Sequence, residues 1–250
     1  MTALFSESGL AAIRGLARRE SVLVFDLDGT LAPIVPRPSD ALVPLATAAR
    51  LQALCRRWPV AVITGRAVQD ATRRLGFTPM YLFGNHGAER LGTGSSEPLT
   101  WELDACRDLL RRNASVLLAR RIRVEDKGLS LALHYRFAAD PPSARLWLDS
   151  LSARMDAGVR ASHGHCVLNI TPDGARDKGD ALLEIMRESG ASQALVVGDD
   201  VNDESAFVKA PRGSVSVRIA PGSTPTGARF RLAHQSLVDP LLALLLGLKR

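Results

Sequence analysis

Val22-Leu23-Val24-Phe25-Asp26-Leu27-Asp28-Gly29-Thr30 is the stretch on which the reading of this chain turns. Four consecutive apolar residues, too few for a helix, describe a strand covered on both faces, as in a parallel sheet. Polar residues then gather where that strand ends. The same order recurs: Val60-Ala61-Val62-Ile63 runs into Thr64-Gly65-Arg66, Tyr81-Leu82-Phe83 into Gly84-Asn85-His86-Gly87, and Ala194-Leu195-Val196-Val197 into Gly198-Asp199-Asp200. Val215 to Ile219 reads as one further strand. Helical spacing fills the gaps at 8–19, with Leu10, Ile13 and Leu16 on one face, and at 44–57, 68–75 and 178–189. Strands alternating with helices predict an α/β chain with a doubly wound parallel sheet, its chemistry lying beyond the carboxyl ends of the strands.

The middle of the chain follows another pattern. Residues 103–118 are helical, 121–124 and 129–135 alternate as strands around a turn at Asp126-Lys127-Gly128, 143–155 are helical, and 159–170 give two short strands. Helix, hairpin, helix, hairpin predicts a small α+β unit inserted into the larger one. The expected division is a core of residues 1–103 and 173–250 and a cap of 104–172.

Composition narrows the function classes. Of 250 residues 46% are hydrophobic, enough for a sizeable core, and 23% are charged. The net charge of +6 is scattered as arginine pairs, and aromatics are 5%, so stacking platforms for nucleic acid are scarce. A basic surface that favours small anions is expected instead. Cys55, Cys106 and Cys166 have neither metal-knuckle nor redox spacing and are expected reduced and mostly buried. No secretion signal is expected in the first residues, and the longest apolar run, Leu241 to Leu246, is too short to cross a bilayer. A cytoplasmic, monomeric protein acting on a small molecule, with no nucleic-acid or membrane partner, is the expectation. His163-Gly164-His165-Cys166 is read as a solvated strand end and Pro221 to Gly227 as a turn-rich loop.

The residues at the strand ends suit phosphoryl transfer, which needs a nucleophile, neutralisation of phosphoryl oxygens and a proton for the leaving alkoxide. Asp26 can attack phosphorus, and Asp28 can hold a proton when nearby negative charge raises its pKa. Gly29 lets the backbone approach a phosphate, while Thr30 and Thr64 offer hydroxyls. Two carboxylates beside a phosphate require a cation, and Asp199, Asp200 and Asp203 supply further hard oxygens of the kind Mg²⁺ takes. Only four of the 32 basic residues are lysine: Lys127, Lys178, Lys209 and Lys249. A chain so biased to arginine keeps Lys178 where a compact point charge is needed.

These motifs resemble those of the haloacid-dehalogenase-like phosphatases, matched by Asp26-Leu27-Asp28-Gly29-Thr30, Thr64, Lys178 and Gly198-Asp199-Asp200-Val201-Asn202-Asp203. The resemblance implies Asp26 as nucleophile, Asp28 as acid and base, and Mg²⁺ held by Asp26, the main-chain carbonyl of Asp28 and Asp199, with Asp203 close by. More narrowly, Gly84 to Glu89, Glu125 to Ser130, His134-Tyr135-Arg136 and Asp199 to Glu204 are similar to signatures of the trehalose-6-phosphate phosphatase family. That likeness implies glucosyl hydroxyls held by Glu125 and Lys127, with His86 and its loop also at the sugar. Gly29, Arg66, Asn85 and Asp200 join the expected substrate set. Asn169 stands where family members often place a third cap glutamate, and it is expected to loosen sugar recognition and with it selectivity. Phosphatases of sucrose phosphate or mannosylglycerate phosphate, and a non-catalytic sugar-phosphate binder, are the alternatives.

Overall fold

The computed structural model describes residues 2–17, 20–92, 101–155, 157–164, 166–222 and 224–248. In chain order the elements are β1 (Thr2–Ala3), α1 (Glu7–Leu16), β2 (Ser21–Phe25), α2 (Leu45–Leu54), β3 (Val60–Ile63), α3 (Val68–Leu75), β4 (Tyr81–Gly84) and β5 (Glu89–Arg90). Then come α4 (Trp101–Arg112), α5 (Ala114–Ala119), β6 (Arg123–Asp126), β7 (Leu131–His134), α6 (Pro141–Ser152), β8 (Val159–Gly164) and β9 (Val167–Pro172). The chain closes with α7 (Lys178–Ser189), β10 (Gln193–Gly198), α8 (Glu204–Lys209), β11 (Val215–Ile219), β12 (Phe230–Leu232) and α9 (Val238–Gly247). It divides into two units, residues 1–94 with 176–250, and residues 95–175.

The first unit is built on a sheet of order β1-β12-β11-β10-β2-β3-β4-β5, parallel except at the β4–β5 edge. Residues alternate between its faces, as a strand's period of two requires. Leu23, Phe25, Val60, Val62, Leu195 and Val197 meet α1, α2, α3 and α9, while Val22, Val24, Ala61, Ile63, Ala194 and Val196 meet α7 and α8. Burial on both faces is why these strands read as unbroken apolar runs. From β2 the chain steps outward one way through β3 and β4, and later the other way through β10, β11 and β12. The junction of β2 and β10 is therefore the switch point at which a doubly wound sheet opens a crevice.

The second unit is an antiparallel sheet of order β6-β7-β9-β8. Leu131, Leu133, Leu168 and Ile170 pack with Leu103, Cys106 and Leu110 of α4 and Leu148 and Leu151 of α6. Its boundaries differ from the expected 104–172 because α4 starts at Trp101 and Leu103 belongs to this core. The single helix expected over 103–118 is two, broken at Asn113, whose side-chain amide donates to the Leu109 carbonyl. The β6–β7 hairpin sits later than expected, with Lys127 N–H donating to the Ser130 carbonyl at 2.9 Å, so that Glu125 lies in a strand.

Of the three cysteines, all free, only Cys106 is buried. Among the described residues no helix is long and apolar enough to cross a membrane.

Candidate active site

Phe25 lies level with Val197 on one side and Val62 on the other, and Ile63 lies level with Phe83. Asp26 and Gly198 thus follow at the carboxyl end of the sheet, with Thr64 and Gly84 one position further along. Asp26 N–H still donates to the Val197 carbonyl, 2.9 Å away. Lys178 Nζ stands 2.8 Å from Asp26 Oδ1 and 2.6 Å from Asp203 Oδ1, with all three side chains nearly sealed from solvent. The ammonium is set by the start of α7, where Asp177 and Asp180 form a capping box and Lys209 donates to both carboxylates. Burial opposes the charge on Lys178, but Asp203 and Asp26 outweigh it and hold its pKa above the usual lysine value.

Asp199 completes the group. Carboxylate oxygens of Asp26, Asp199 and Asp203 lie within 4.8 Å of one another, the only such cluster of potential metal ligands among the described residues. Three carboxylates face one ammonium in a place largely closed to water. Burial, opposed by Lys178 and reinforced by Asp203 and Asp28, pushes Asp26 up to about 7. Burial and then Asp26 and Asp203 raise Asp199 well above the carboxylate range. Such a donor set calls for a positive charge, a proton or a cation with hard oxygen preferences, so a metal ion fits the residues present.

Gly29 has a structural duty here beyond the expected approach to phosphate. Its φ is +79°, and a Cβ at this position would lie 2.0 Å from Asp199 Oδ2. Any side chain would drive the carboxylate out of the cluster. Thr30 Oγ1 donates to Asp199 Oδ1 at 3.2 Å from the same turn.

The Asp28 carboxylate faces elsewhere. Arg66 grips it with Nε and Nη2, each at 2.7 Å, and also donates to Asp70 Oδ2 and the Pro38 carbonyl. A bidentate fork of this kind fixes direction as well as charge. Arg66, expected against substrate, is thus largely spent on Asp28 and its surroundings. Thr64 is buried and its Oγ1 accepts from Arg66 N–H at 3.2 Å.

Asn85 and His86 occupy the left-handed region at φ 47° and 58°, a strained pair of the sort that persists only when its surroundings demand it. The demand is visible. Asn85 N–H donates to the Arg66 carbonyl, His86 N–H to the Thr64 carbonyl, and a Cβ on Gly65 would lie 2.5 Å from the His86 ring. Glu89 Oε2, which the sequence reading left without a task, accepts from both Val68 N–H and Asn85 Nδ2 at 2.9 Å. Asp200 caps the turn after β10, accepting from Val201 N–H while its own N–H donates to Asp203 Oδ2.

Glu125, Lys127 and Asn169 belong to the second unit. Glu125 stands opposite Ala132, Ala132 opposite Asn169 and Asn169 opposite Ser162, so the four form one row on one face. His134 Nε2 meets Glu125 Oε2 at 2.8 Å. That bond, opposed by partial burial and aided by Lys127, holds the Glu125 carboxyl below its usual range. Outside this row, His163 pairs with Asp149 and lies edge-on to Tyr135, more enclosed than a solvated strand end; His165 falls outside the described residues.

The sequence profile of the trehalose-phosphatase family matches residues 24–236, most of the chain and every strand end described above. The chain belongs to this family. Among curated members it is 31% identical over 237 residues to the trehalose-phosphate phosphatase of Mycobacterium tuberculosis, covering 90% of this chain and 60% of that protein. With the Mycobacterium avium protein of the same name the identity is 35% over 241 residues, 92% of this chain and 61% of that one. The chain thus spans about three fifths of the length of these relatives. The fold is that of the C-terminal domain of C. albicans trehalose-6-phosphate phosphatase, with a TM-score of 0.83, 21% identity and coverage of 99% and 98% of the two chains. The sucrose-phosphatase of Synechocystis, solved with sucrose and phosphate, is a more distant likeness at a TM-score of 0.56, 18% identity and coverage of 90% and 98%.

Proposed function

We propose that this chain is a Mg²⁺-dependent phosphatase that hydrolyses trehalose 6-phosphate to trehalose and phosphate through an aspartyl-phosphate on Asp26. The observation that carries the reading is the convergence of Asp26, Asp199 and Asp203 on one place, with Lys178 among them. Membership of the trehalose-phosphatase family supports the choice of substrate. The chain acts alone in the cytoplasm on a small sugar phosphate, without a nucleic-acid or membrane partner.

Asp26 has one carboxylate oxygen on Lys178, which leaves the other to attack phosphorus. As that bond forms, the phosphorus bond to the sugar oxygen breaks, and Asp28 hands a proton to the leaving alkoxide. To do so Asp28 must loosen from Arg66, which now holds both of its oxygens. Asp28 then takes a proton from water as the water oxygen attacks the acyl-phosphate, releasing phosphate and restoring the Asp26 carboxylate. Lys178 and the Thr64 hydroxyl balance charge on the phosphoryl oxygens. Mg²⁺, held by Asp26, Asp199 and the Asp28 main-chain carbonyl with Asp203 beside it, would supply further positive charge against those oxygens.

Sugar recognition draws on Glu125 and Lys127 in the second unit and, independently, on His86 with Asn85 in the first, since hydroxyls need charged acceptors and donors whose loss leaves buried groups unpaired. Asn169 can accept and donate but carries no charge, which loosens that recognition. Phosphate release should be measured from trehalose 6-phosphate, sucrose 6-phosphate, mannosylglycerate phosphate and simple hexose phosphates, each with Mg²⁺ and with EDTA. Fastest release from trehalose 6-phosphate, abolished by EDTA, is the expected result. Equal rates on all substrates would refute the specificity, and turnover that survives EDTA would refute the metal.

A further inference from the structure

Every residue of β11 is buried, and the strand reads Val-Ser-Val-Arg-Ile. An arginine there is expensive, because a guanidinium taken out of water costs several kcal/mol unless it is well partnered. An apolar residue would have filled the space at less cost. The guanidinium of Arg218 instead reaches into the turn after β10, since Arg218 lies level with Gly198. Its Nη1 donates to the Asp200 carbonyl and, at 3.1 Å, to Glu204 Oε1, while its Nε is buried without a hydrogen-bond partner.

The carbonyl it grips belongs to Asp200, which lies between Asp199 and Asp203 in the turn. Asp200 follows Asp199 directly, and its N–H donates to Asp203 Oδ2 at 2.9 Å. The turn is thus held at Asp200 N–H by Asp203 and at Asp200 C=O by Arg218. Glu204 braces the other end: it accepts from Thr226 Oγ1 at 2.6 Å and from Gly227 N–H at 2.7 Å. Thr226 and Gly227, which carry no task in the mechanism, become the far anchor of this strut.

We propose that Arg218 is a positioning residue that, braced by Glu204, holds Asp199 and Asp203 at the spacing a divalent cation needs. The inference rests on the metal reading above. Groups behind the ligands of metal sites set affinity without touching the metal, and losing one costs about 10–100-fold in affinity or activity.

The test compares wild type with Arg218→Met, Arg218→Lys and Thr226→Val in the full chain. Mg²⁺ titrated alone is followed by calorimetry and by its effect on the unfolding midpoint. The Mg²⁺ concentration for half-maximal phosphate release and the KM for trehalose 6-phosphate at saturating Mg²⁺ complete the set. Arg218→Met should weaken Mg²⁺ binding about tenfold or more and leave KM at saturating Mg²⁺ unchanged. Both hydrogen bonds leave a single nitrogen, so Arg218→Lys, a point donor, should stay within about threefold of wild type. Thr226→Val, which only loosens the brace, should give a smaller loss of about two- to threefold.

Unchanged Mg²⁺ affinity in Arg218→Met, or a loss that Arg218→Lys does not recover, would overturn the role. If Arg218→Met does not fold, wild-type Mg²⁺ affinity in Thr226→Val overturns it. A wild-type chain that gives no Mg²⁺ signal in any measurement would sink the metal reading and this inference together.

Discussion

The two units handle charge in opposite ways. In the first, Lys178, Asp26 and Asp203 have side chains that are 4%, 8% and 4% exposed, and each group is caught between others. In the second, the Glu125–His134 pair is 37% and 24% exposed on a strand of a small antiparallel sheet. Charges sealed from water interact strongly and cannot be removed singly without leaving an uncompensated partner. Charges half in water adjust at small cost. The first arrangement suits a chemical step and the second suits recognition. Substitutions in the sealed cluster of Lys178, Asp26 and Asp203 should therefore strike kcat, and those at Glu125 and His134 should strike KM. A reversal of that pattern would break the comparison.

The largest effect belongs to Asp26→Asn. Loss of the nucleophile proposed above should lower the turnover number by on the order of 10⁴-fold or more. The fold should survive, because Lys178 keeps Asp203 as partner. Phosphate release and far-ultraviolet circular dichroism check the two halves. Lys178→Met comes next. It strands Asp26 and Asp203 without their shared cation, so turnover should drop by about 10³-fold and stability by about 3–5 kcal/mol in denaturant titration. Lys178→Arg should not restore either, since a planar fork cannot occupy the place of an ammonium. Recovery by arginine would show the site to be looser than its burial suggests.

The reach of the sequence follows the same division. The strands of the first unit stood out because burial on both faces leaves an unbroken apolar run, as in Val60–Ile63, and the acidic clusters mark where those runs end. Partnerships across the fold were hidden. Nothing in the linear order joins Arg66 to Asp28 or Arg218 to Asp200, and nothing in Val-Ser-Val-Arg-Ile marks its arginine as buried. Gly29 was singled out for a neighbouring phosphate, but the contact that forbids a side chain there is with Asp199. Strands of two or three residues, β1, β5 and β12, are too short to carry a pattern. In the second unit the alternation was clear but the hairpin phase was not, because Lys127 to Ser130, rather than Asp126 to Gly128, closes the turn.

A third effect is set by protons. Asp26 stands near 7 in the folded chain against about 4 in an unfolded one. Between those values the folded chain holds the extra proton, so metal-free stability falls as pH rises from about 4 to 7. A cation must displace protons from Asp26 and Asp199, both of which the folded chain holds above the usual carboxylate range. Apparent Mg²⁺ affinity should therefore rise by about tenfold or more per pH unit below 7 and level off only once both carboxylates have ionised. Unfolding midpoints with Mg²⁺ and with EDTA at pH 5.5, 6.5, 7.5 and 8.5 measure both trends. A Mg²⁺-induced gain that is flat across this range would mean that the carboxylates are already ionised without metal.

The smallest effect tests the second unit. Glu125 keeps its charge because His134 donates to it and Lys127 lies near, so Glu125→Gln preserves shape and removes only that charge. A hydrogen bond from a sugar hydroxyl to a charged acceptor is stronger than one to an amide by about 1 kcal/mol, so KM for trehalose 6-phosphate should rise about fivefold while kcat holds. His134→Ala should raise KM less, because it leaves the carboxylate in place but free to turn. The double variant should fall short of the product of the two, since groups in direct contact do not act independently. Additive effects would separate His134 from the sugar-binding role proposed for Glu125, and a fall in kcat with KM unchanged would place Glu125 in the chemical step instead.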